Sequence, residues 1–394
     1  MRILISGAGV AGPTLAWWLA RDGFTPTLVE SAPRLRTGGY VIDFWGPGFE
    51  IANRMGMLPS IRPHGYSVRE IRVVDDRGRT AASLPTQAFF KMTRGQFLSI
   101  PRGDLAACIY AALDGKVETL FGDRVVRLEQ SGSGVDVGFA SRPARHFDLV
   151  VGCDGPHSGI RQLVYGDESQ FAKYLGFKVA AFEVRGYALR DELVYMMHTG
   201  VGRQIARFSM RDDRTMFLFT FRDEDRSLPA TLSEQKALLR DQFGRMGWET
   251  PRILDALDRT TDLYIDRVSQ IHMGPAPDSW SRGRVTLLGD AAFAVSILAG
   301  QGTALSMIAA YILAGELRRA GGDHTRAFLE YQQRFGPFVL AKQKAATRLA
   351  GFFAPRSQLA LFARNKAMSL MKIPWIADLA IRRDIADRLE LPDY

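Results

Sequence analysis

Three glycines, Gly7, Gly9 and Gly12, follow the apolar run Arg2-Ile-Leu-Ile-Ser6, and a carboxylate, Glu30, ends the next apolar run. This order is the dinucleotide fingerprint of a β-α-β unit. The first glycine permits a tight strand-to-helix turn, the second lets a pyrophosphate approach the backbone, and the third lets the helix pack on the strand. An acid about 20 residues on can hold ribose hydroxyls. Ala11 lies in the same turn, so the candidate cofactor positions here are Gly7, Gly9, Ala11, Gly12 and Glu30. The fingerprint serves NAD and FAD alike.

Three further clusters carry residue types suited to the same task. Gly152-Cys-Asp154-Gly155-Pro-His-Ser158-Gly-Ile-Arg161 puts an acid and a glycine at the end of an apolar run, then a serine and an arginine at helical spacing. Gly289-Asp290 ends another apolar run and is followed by Gly300-Gln301-Gly302-Thr303 at a helix start. Pro101-Arg102 places a guanidinium where a third helix begins. The first two have plainer readings: Asp154 as a helix cap, Arg161 as a surface ion-pair partner, Gly289-Asp290 as an ordinary turn. His157 is read as structural, and Met196, Met197, Met210 and Met216 as core or as the lining of an apolar pocket.

These clusters must be positioned by strands and helices, and the pattern predicts an α/β chain: a Rossmann-like dinucleotide-binding domain, which the resemblance given below makes a Rossmann-like FAD-binding domain, interleaved with a mostly antiparallel β-sheet substrate domain, plus C-terminal helices. The boundaries expected are 1–70, 100–170 and 276–350 for the first domain, 71–99 and 171–275 for the second, and 351–394 for the helical segment. A hairpin is expected around Asp76-Arg77-Gly78, a plain hairpin turn at Ser131-Gly132-Ser133-Gly134, and one-faced strands in Ala206-Arg-Phe-Ser-Met and Thr215-Met-Phe-Leu-Phe-Thr-Phe. Phe89, Phe90 and Phe97 show no helical period.

With 394 residues, 46% apolar and 24% charged, the composition is globular. The net charge of +9 is spread along the chain without a basic run, so no nucleic-acid partner is expected. Cys108 and Cys153 are far apart and outside any C-x-x-C, which supports neither disulfides nor a metal site and fits a reducing cytoplasm. No signal peptide is expected before the strand that begins at residue 2. Ala291 to Gly315 carries no charge, but Gly300-Gln-Gly-Thr303 interrupts it, so it reads as a buried loop plus a core helix from about Thr303 to Ala320 and no transmembrane segment is expected.

The four motifs, in this order, resemble those of the single-component FAD-dependent aromatic hydroxylases, the para-hydroxybenzoate hydroxylase family. Its opening Gly-Val-Ala-Gly-Pro and its length are similar to those of the tetracycline-inactivating branch. The resemblance implies that Gly7, Gly9, Gly12 and Glu30 hold the adenosine half of FAD, that Gly152, Asp154, Gly155, Ser158 and Arg161 form the D-G motif, and that Gly289 and Asp290 form the G-D motif. It places a flavin-contacting arginine at Arg102. It also implies a transient NADPH or NADH, O2 as co-substrate, and hydroxylation of an apolar, aromatic or polycyclic small molecule. Two positions depart from the family: Phe293 replaces a histidine and Ile297 stands at the place of a proline.

Beside the resemblance stands the chemistry. Asp290 at a strand end can accept from ribityl hydroxyls. Backbone N–H groups from Gly300 to Thr303, with Gly302 allowing close approach, would face the negative charge of a reduced flavin. No catalytic side chain is assigned, since none in 171–275 is a convincing base. An oxygen-independent reductase of the geranylgeranyl-reductase kind and a non-catalytic FAD-containing binder of hydrophobic ligands are the alternatives. A monomer and a dimer are both compatible. The amphipathic tail, with Leu359, Leu361, Phe362, Met368, Leu370, Met371, Ile373, Trp375, Ile376, Leu379 and Ile381, reads as a closing helix, a cover over the substrate pocket or a membrane-surface helix.

Overall fold

The computed structural model describes residues 1–35, 40–87, 90, 93, 95–274, 276, 278–370 and 389–394. Two sheets organise it. The first has six strands in the order Ser281–Arg282, Val285–Leu287, Leu149–Gly152, Arg2–Ser6, Thr25–Glu30 and Glu118–Phe121. Its pairs are parallel except at the Ser281–Arg282 edge. The central strands are near-continuous apolar runs because helices cover both faces. Arg145–Phe147, Val135–Phe139 and Val125–Gln130 make a small antiparallel sheet beside it.

The second sheet has seven strands: Tyr264–Ile271, Ala172–Arg185, Arg214–Arg222, Arg203–Ser209, Val194–Gly200, Glu70–Val74 and Thr80–Pro85. All its pairs are antiparallel except Val194–Gly200 with Glu70–Val74. One face packs Phe217, Phe219 and Phe221 against Leu239, Phe243, Ile253 and Leu257 from the helices Leu232–Phe243 and Thr250–Arg259. The other face, with Met216, Tyr195 and Phe208, meets Tyr40, Val41 and Tyr66. The expected hairpin at Asp76-Arg77-Gly78 joins Glu70–Val74 to Thr80–Pro85. Phe97 begins a strand that pairs with Val41–Trp45 rather than with the large sheet. Phe89 lies outside the described residues.

The uncharged stretch is explained by burial. Helix Gly302–Arg319 has Leu305 to Leu317 inside the protein, wedged between helices Ala11–Arg21 and His324–Phe353. Ala309, Ala310 and Ala314 keep its flanks flat enough for that approach. Its buried Glu316 is paired with Arg334 at 2.7 Å and accepts a hydrogen bond from Tyr394 Oη at 2.6 Å. Among the described residues no helix is long and apolar enough to cross a membrane. Of the tail, Gln358–Leu370 is a helix whose Met368 packs on Val73, Met197 and Ala206 of the large sheet. Met371, Ile373, Trp375, Ile376, Leu379 and Ile381 lie outside the described residues.

Candidate functional site

The glycine turn is fixed by contacts that exclude any side chain. Gly7 has φ +106°, and a Cβ there would stand 2.4 Å from the carbonyl oxygen of Cys153; one on Gly12 would stand 2.0 Å from the carbonyl oxygen of Gly7. These distances bring the first turn and the Cys153-Asp154 turn into backbone contact, as parallel neighbours in the sheet require. Gly289, at φ +68°, would meet Ala11 Cβ at 3.3 Å and Ser306 Oγ at 2.9 Å, so the third strand end joins the same spot. Arg102 closes the group: its Nη2 lies 3.9 Å from the place a Cβ on Gly9 would take. Three strand ends and one helix start thus converge on one cleft.

Two helix N-termini open onto this cleft without side-chain caps. Ala11–Arg21 and Gly302–Arg319 have neither a capping side chain nor an acid in the first turn, which leaves backbone donors and the positive end of each dipole for an anionic group. By contrast, helix Gly159–Tyr165 is capped by Ser158, whose Oγ accepts from Arg161 N at 2.9 Å. Gly300 is left-handed at φ +65° with open space around it, and Thr303 lies in the first turn beyond.

Each acid holds a different position. Glu30 accepts from Ala8 N at 2.8 Å and from Ala32 N at 2.9 Å, so it braces the glycine turn while remaining at its rim. Asp154 accepts a short hydrogen bond from Ser158 Oγ and one from Ile160 N at 3.0 Å. The cap of the following helix is therefore Ser158, with Asp154 behind it and Gly155 at φ +84° beside it. Burial raises the proton affinity of Asp154 against these donors. Among the described residues Asp290 has no hydrogen-bond partner; its Oδ1 lies 3.5 Å from the place a Cβ on Gly302 would take. Burial raises its pKa and the charge of Arg102 opposes the rise. A half-buried carboxylate without donors is an acceptor awaiting a ligand.

Arg161 is neither a surface ion pair nor free to reach the cleft. It is 1% exposed and donates Nη1 to Ala291 O at 2.9 Å and Nη2 to Pro156 O at 2.5 Å, with Glu168 Oε2 at 3.2 Å. It clamps the Asp154 loop to the Gly289-Asp290 loop from behind. His157, on the same loop, is held by Glu168 at 2.9 Å and by Asp266 Oδ2 of strand Tyr264–Ile271 at 3.3 Å, which ties the two sheets together.

The departures from the family also find places. Phe293 is buried against Trp280, 4.8 Å between ring centroids, and Phe335, 5.4 Å, in an aromatic slot where an imidazole would lack partners. Next to Ile297, Ser296 takes φ +109°, a rare conformation for a residue with a Cβ, and its Oγ accepts from Leu298 N at 3.2 Å.

Several cleft residues escaped the sequence reading. Tyr40 lies among Arg102, Asp290 and Asp266, whose charges act on its hydroxyl, and its ring is 6.4 Å from that of Tyr264. Asp43 is solvent-accessible yet surrounded by protein, and accepts from Ser99 Oγ at 2.6 Å. Its signal was present in Val41-Ile-Asp-Phe-Trp45: an acid alternating with buried Ile42 and Phe44 must point the other way. Met196, Met197, Met210 and Met216 are all buried.

The cleft fits FAD: glycine turns close to two uncapped helix ends, one cation at its middle, and an unpartnered carboxylate where a ribityl chain needs an acceptor. Residues 1–329 match the model of a family described as FAD binding domain. The chain is 38% identical, over 86% of its length and 91% of the other, to an uncharacterized protein of Mycobacterium tuberculosis. It is 31% identical to a flavin-dependent monooxygenase of Legionella longbeachae, over 100% of this chain and 98% of that one. The crystal structure of the tetracycline destructase Tet(51) superimposes with a TM-score of 0.82 at 31% identity, covering 100% and 99% of the two chains. The match to the family model over most of the chain and the full-length similarity to a named monooxygenase agree with the cleft: the chain belongs to the FAD-dependent monooxygenases.

Proposed function

We propose that this FAD-dependent monooxygenase hydroxylates an apolar, aromatic or polycyclic small molecule, with NADPH or NADH visiting as reductant and O2 as co-substrate. FAD, when bound, takes electrons from the nicotinamide and activates O2 for transfer of one oxygen atom to the substrate. In this reading the turn Gly7–Gly12 with Ala11 receives the pyrophosphate, Glu30 the ribose, and Asp290 the ribityl hydroxyls. Arg102 and Asp154-Gly155 flank the chain of the cofactor. The N–H groups from Gly300 to Thr303 face the ring. Arg161 serves as the clamp that holds the two acidic loops in register.

The substrate would lie between this cleft and the Tyr195-Phe208-Met216 face of the large sheet. That buried apolar layer, packed on Tyr40, Val41 and Tyr66, supports the reading by keeping water from the sheet side of the cleft. The name of the structural relative, a tetracycline destructase, points to the polycyclic end of the class. The observation that carries the proposal is Asp290, a carboxylate with no hydrogen-bond partner among the described residues, at a junction of strand end and uncapped helix.

Oxygen uptake measured alongside NADPH and NADH oxidation, with polycyclic phenols and tetracycline as trial substrates and product followed by mass, tests it. Substrate-stimulated uptake with a product heavier by one oxygen atom is expected. Substrate reduced under argon would establish the reductase alternative instead. A flavin that neither nicotinamide bleaches, even with ligand present, would establish the binder.

A further inference from the structure

Helix Gln358–Leu370 lies on the large sheet with its apolar and polar sides reversed from what a surface helix requires. Its inner side carries Met368, in the apolar cluster with Val73, Met197 and Ala206, and Arg364, a buried cation. Arg364 donates Nη1 to Thr199 Oγ1 at 3.2 Å and to Phe352 O at 3.3 Å, which pins the helix to strand Val194–Gly200 and to the end of helix His324–Phe353. Just before it, Ala354 O accepts from Arg222 Nε at 2.8 Å and Pro355 O from Gly202 N at 2.8 Å. These contacts fix which side of the helix faces out.

That outer side is apolar. Leu359, Phe362, Ala363 and Leu370 recur at helical spacing, and Leu359 is 78% exposed, Phe362 60% and Leu370 53%. A helix that served only to close the fold would turn these residues inward. Exposed leucines scattered singly mean little, but a stripe of them marks a contact surface. Phe352, exposed at the end of the preceding helix, extends the stripe, since its ring centroid lies 5.5 Å from the Arg364 guanidinium.

Charge decides what this surface meets. Between Glu330 and Asp378 the sequence has no aspartate or glutamate, while lysine and arginine recur throughout. Lys366 stands within the apolar stripe, its Nζ 5.5 Å from the ring centroid of Phe362. Arg356 is exposed just before the helix, and Lys344 and Arg348 are exposed at four-residue spacing from Phe352, on the same side of their helix. A second copy of the chain, docked about a twofold axis, would set these cations against themselves. A bilayer with anionic lipids matches them, with phosphates at headgroup level for the cations and acyl chains below for the leucines and the phenylalanine.

We propose that the outer face of helix Gln358–Leu370, with the cationic end of helix His324–Phe353, docks on a membrane surface that contains anionic phospholipid. The apolar stripe enters the boundary between headgroups and acyl chains, while Lys344, Arg348, Arg356 and Lys366 face the phosphates. No residue of the cofactor cleft takes part.

The test is flotation of the FAD-loaded full chain with vesicles of phosphatidylcholine and phosphatidylglycerol in equal parts, and with vesicles of phosphatidylcholine alone. Wild type is expected to float with the mixed vesicles and to bind phosphatidylcholine at least about tenfold more weakly, since each lysine or arginine at an anionic surface contributes about fivefold. Raising the salt from about 0.1 to about 0.5 M should release it. Leu359→Gln combined with Phe362→Gln should weaken binding to the mixed vesicles at least about tenfold while keeping the melting temperature and flavin spectrum of wild type. Lys366→Gln, a milder change, should weaken it about fivefold. Failure of wild type to bind the mixed vesicles, equal binding to both kinds, or unaltered binding by either variant would overturn the proposal. So would a lower melting temperature of the double variant, which would place the stripe under the chain's own residues 371–388. A wild-type dimer that the double variant abolishes would overturn it too, giving the face to a second copy.

Discussion

Replacing Asp290 by alanine should move two properties in opposite directions. The carboxylate is held in a partly buried place with no hydrogen-bond donor, and only the charge of Arg102 compensates it. Its pKa is raised in the folded state, so folding disfavours the ionised form: the penalty is present at neutral pH and disappears as pH falls through the folded value. A desolvated polar group without partners costs about 1–3 kcal/mol. Unfolding entropy scaled to a chain of this size makes that roughly 1 °C per kcal/mol. The apoprotein of Asp290→Ala should therefore melt about 1–3 °C higher than wild type at pH 7. The same change removes charge-assisted hydrogen bonds to ribityl hydroxyls, each worth about 1.5–3 kcal/mol, and should weaken FAD binding about 10- to 150-fold. Fluorescence titration of deflavinated protein and thermal melts of the same samples give both numbers. Unchanged FAD affinity, or an apoprotein that melts lower, would refute the assignment of Asp290 as a carboxylate kept for a ligand.

Gly7→Ala forces a Cβ to 2.4 Å from Cys153 O at φ +106°, so a loss of roughly 1–3 kcal/mol in urea unfolding with failure to retain FAD is expected. Arg161→Met leaves Ala291 O and Pro156 O without their donor, at about 1–3 kcal/mol each. Its flavin should be released more readily although no cofactor contact is removed, as denaturant melts and dialysis would report. His157 has its pKa raised to about 9 by hydrogen bonds to Asp266 and Glu168. A raised histidine stabilises below its unfolded value near 6.5 and loses that contribution as pH rises through about 9. Thermal melts between pH 7 and 10 should therefore fall more for wild type than for His157→Gln, and only slightly, because the ring is half exposed.

The glycine turns were legible because the requirement is written in the backbone: φ +106° at Gly7 and a 2.0 Å approach at Gly12 admit no other residue. The alternating strands from 172 to 271 were legible for the same kind of reason, since a sheet face leaves a period of two. Arg161 was recognisable as part of a motif but not in its role, because two of its three partners are carbonyls, one of them 130 positions away. Backbone acceptors have no sequence signature. Asp43 was missed for want of a neighbouring motif, although its alternation with Ile42 and Phe44 stated which way it points. Phe293, noted as a departure, makes sense only with Trp280 and Phe335 beside it.

The sheet order bears on how the polypeptide can be made. Strand Arg2–Ser6 pairs with Leu149–Gly152, which in turn pairs with Val285–Leu287, while Glu70–Val74 pairs with Val194–Gly200. Neither sheet can be completed from an N-terminal fragment, so a growing chain must carry unpaired edges until nearly three quarters of it has left the ribosome. Pairings at such separation also slow closure. Cutting the protein anywhere between residues 85 and 285 should accordingly yield two insoluble pieces rather than two working halves, whereas co-expressed fragments could meet across the existing strand edges.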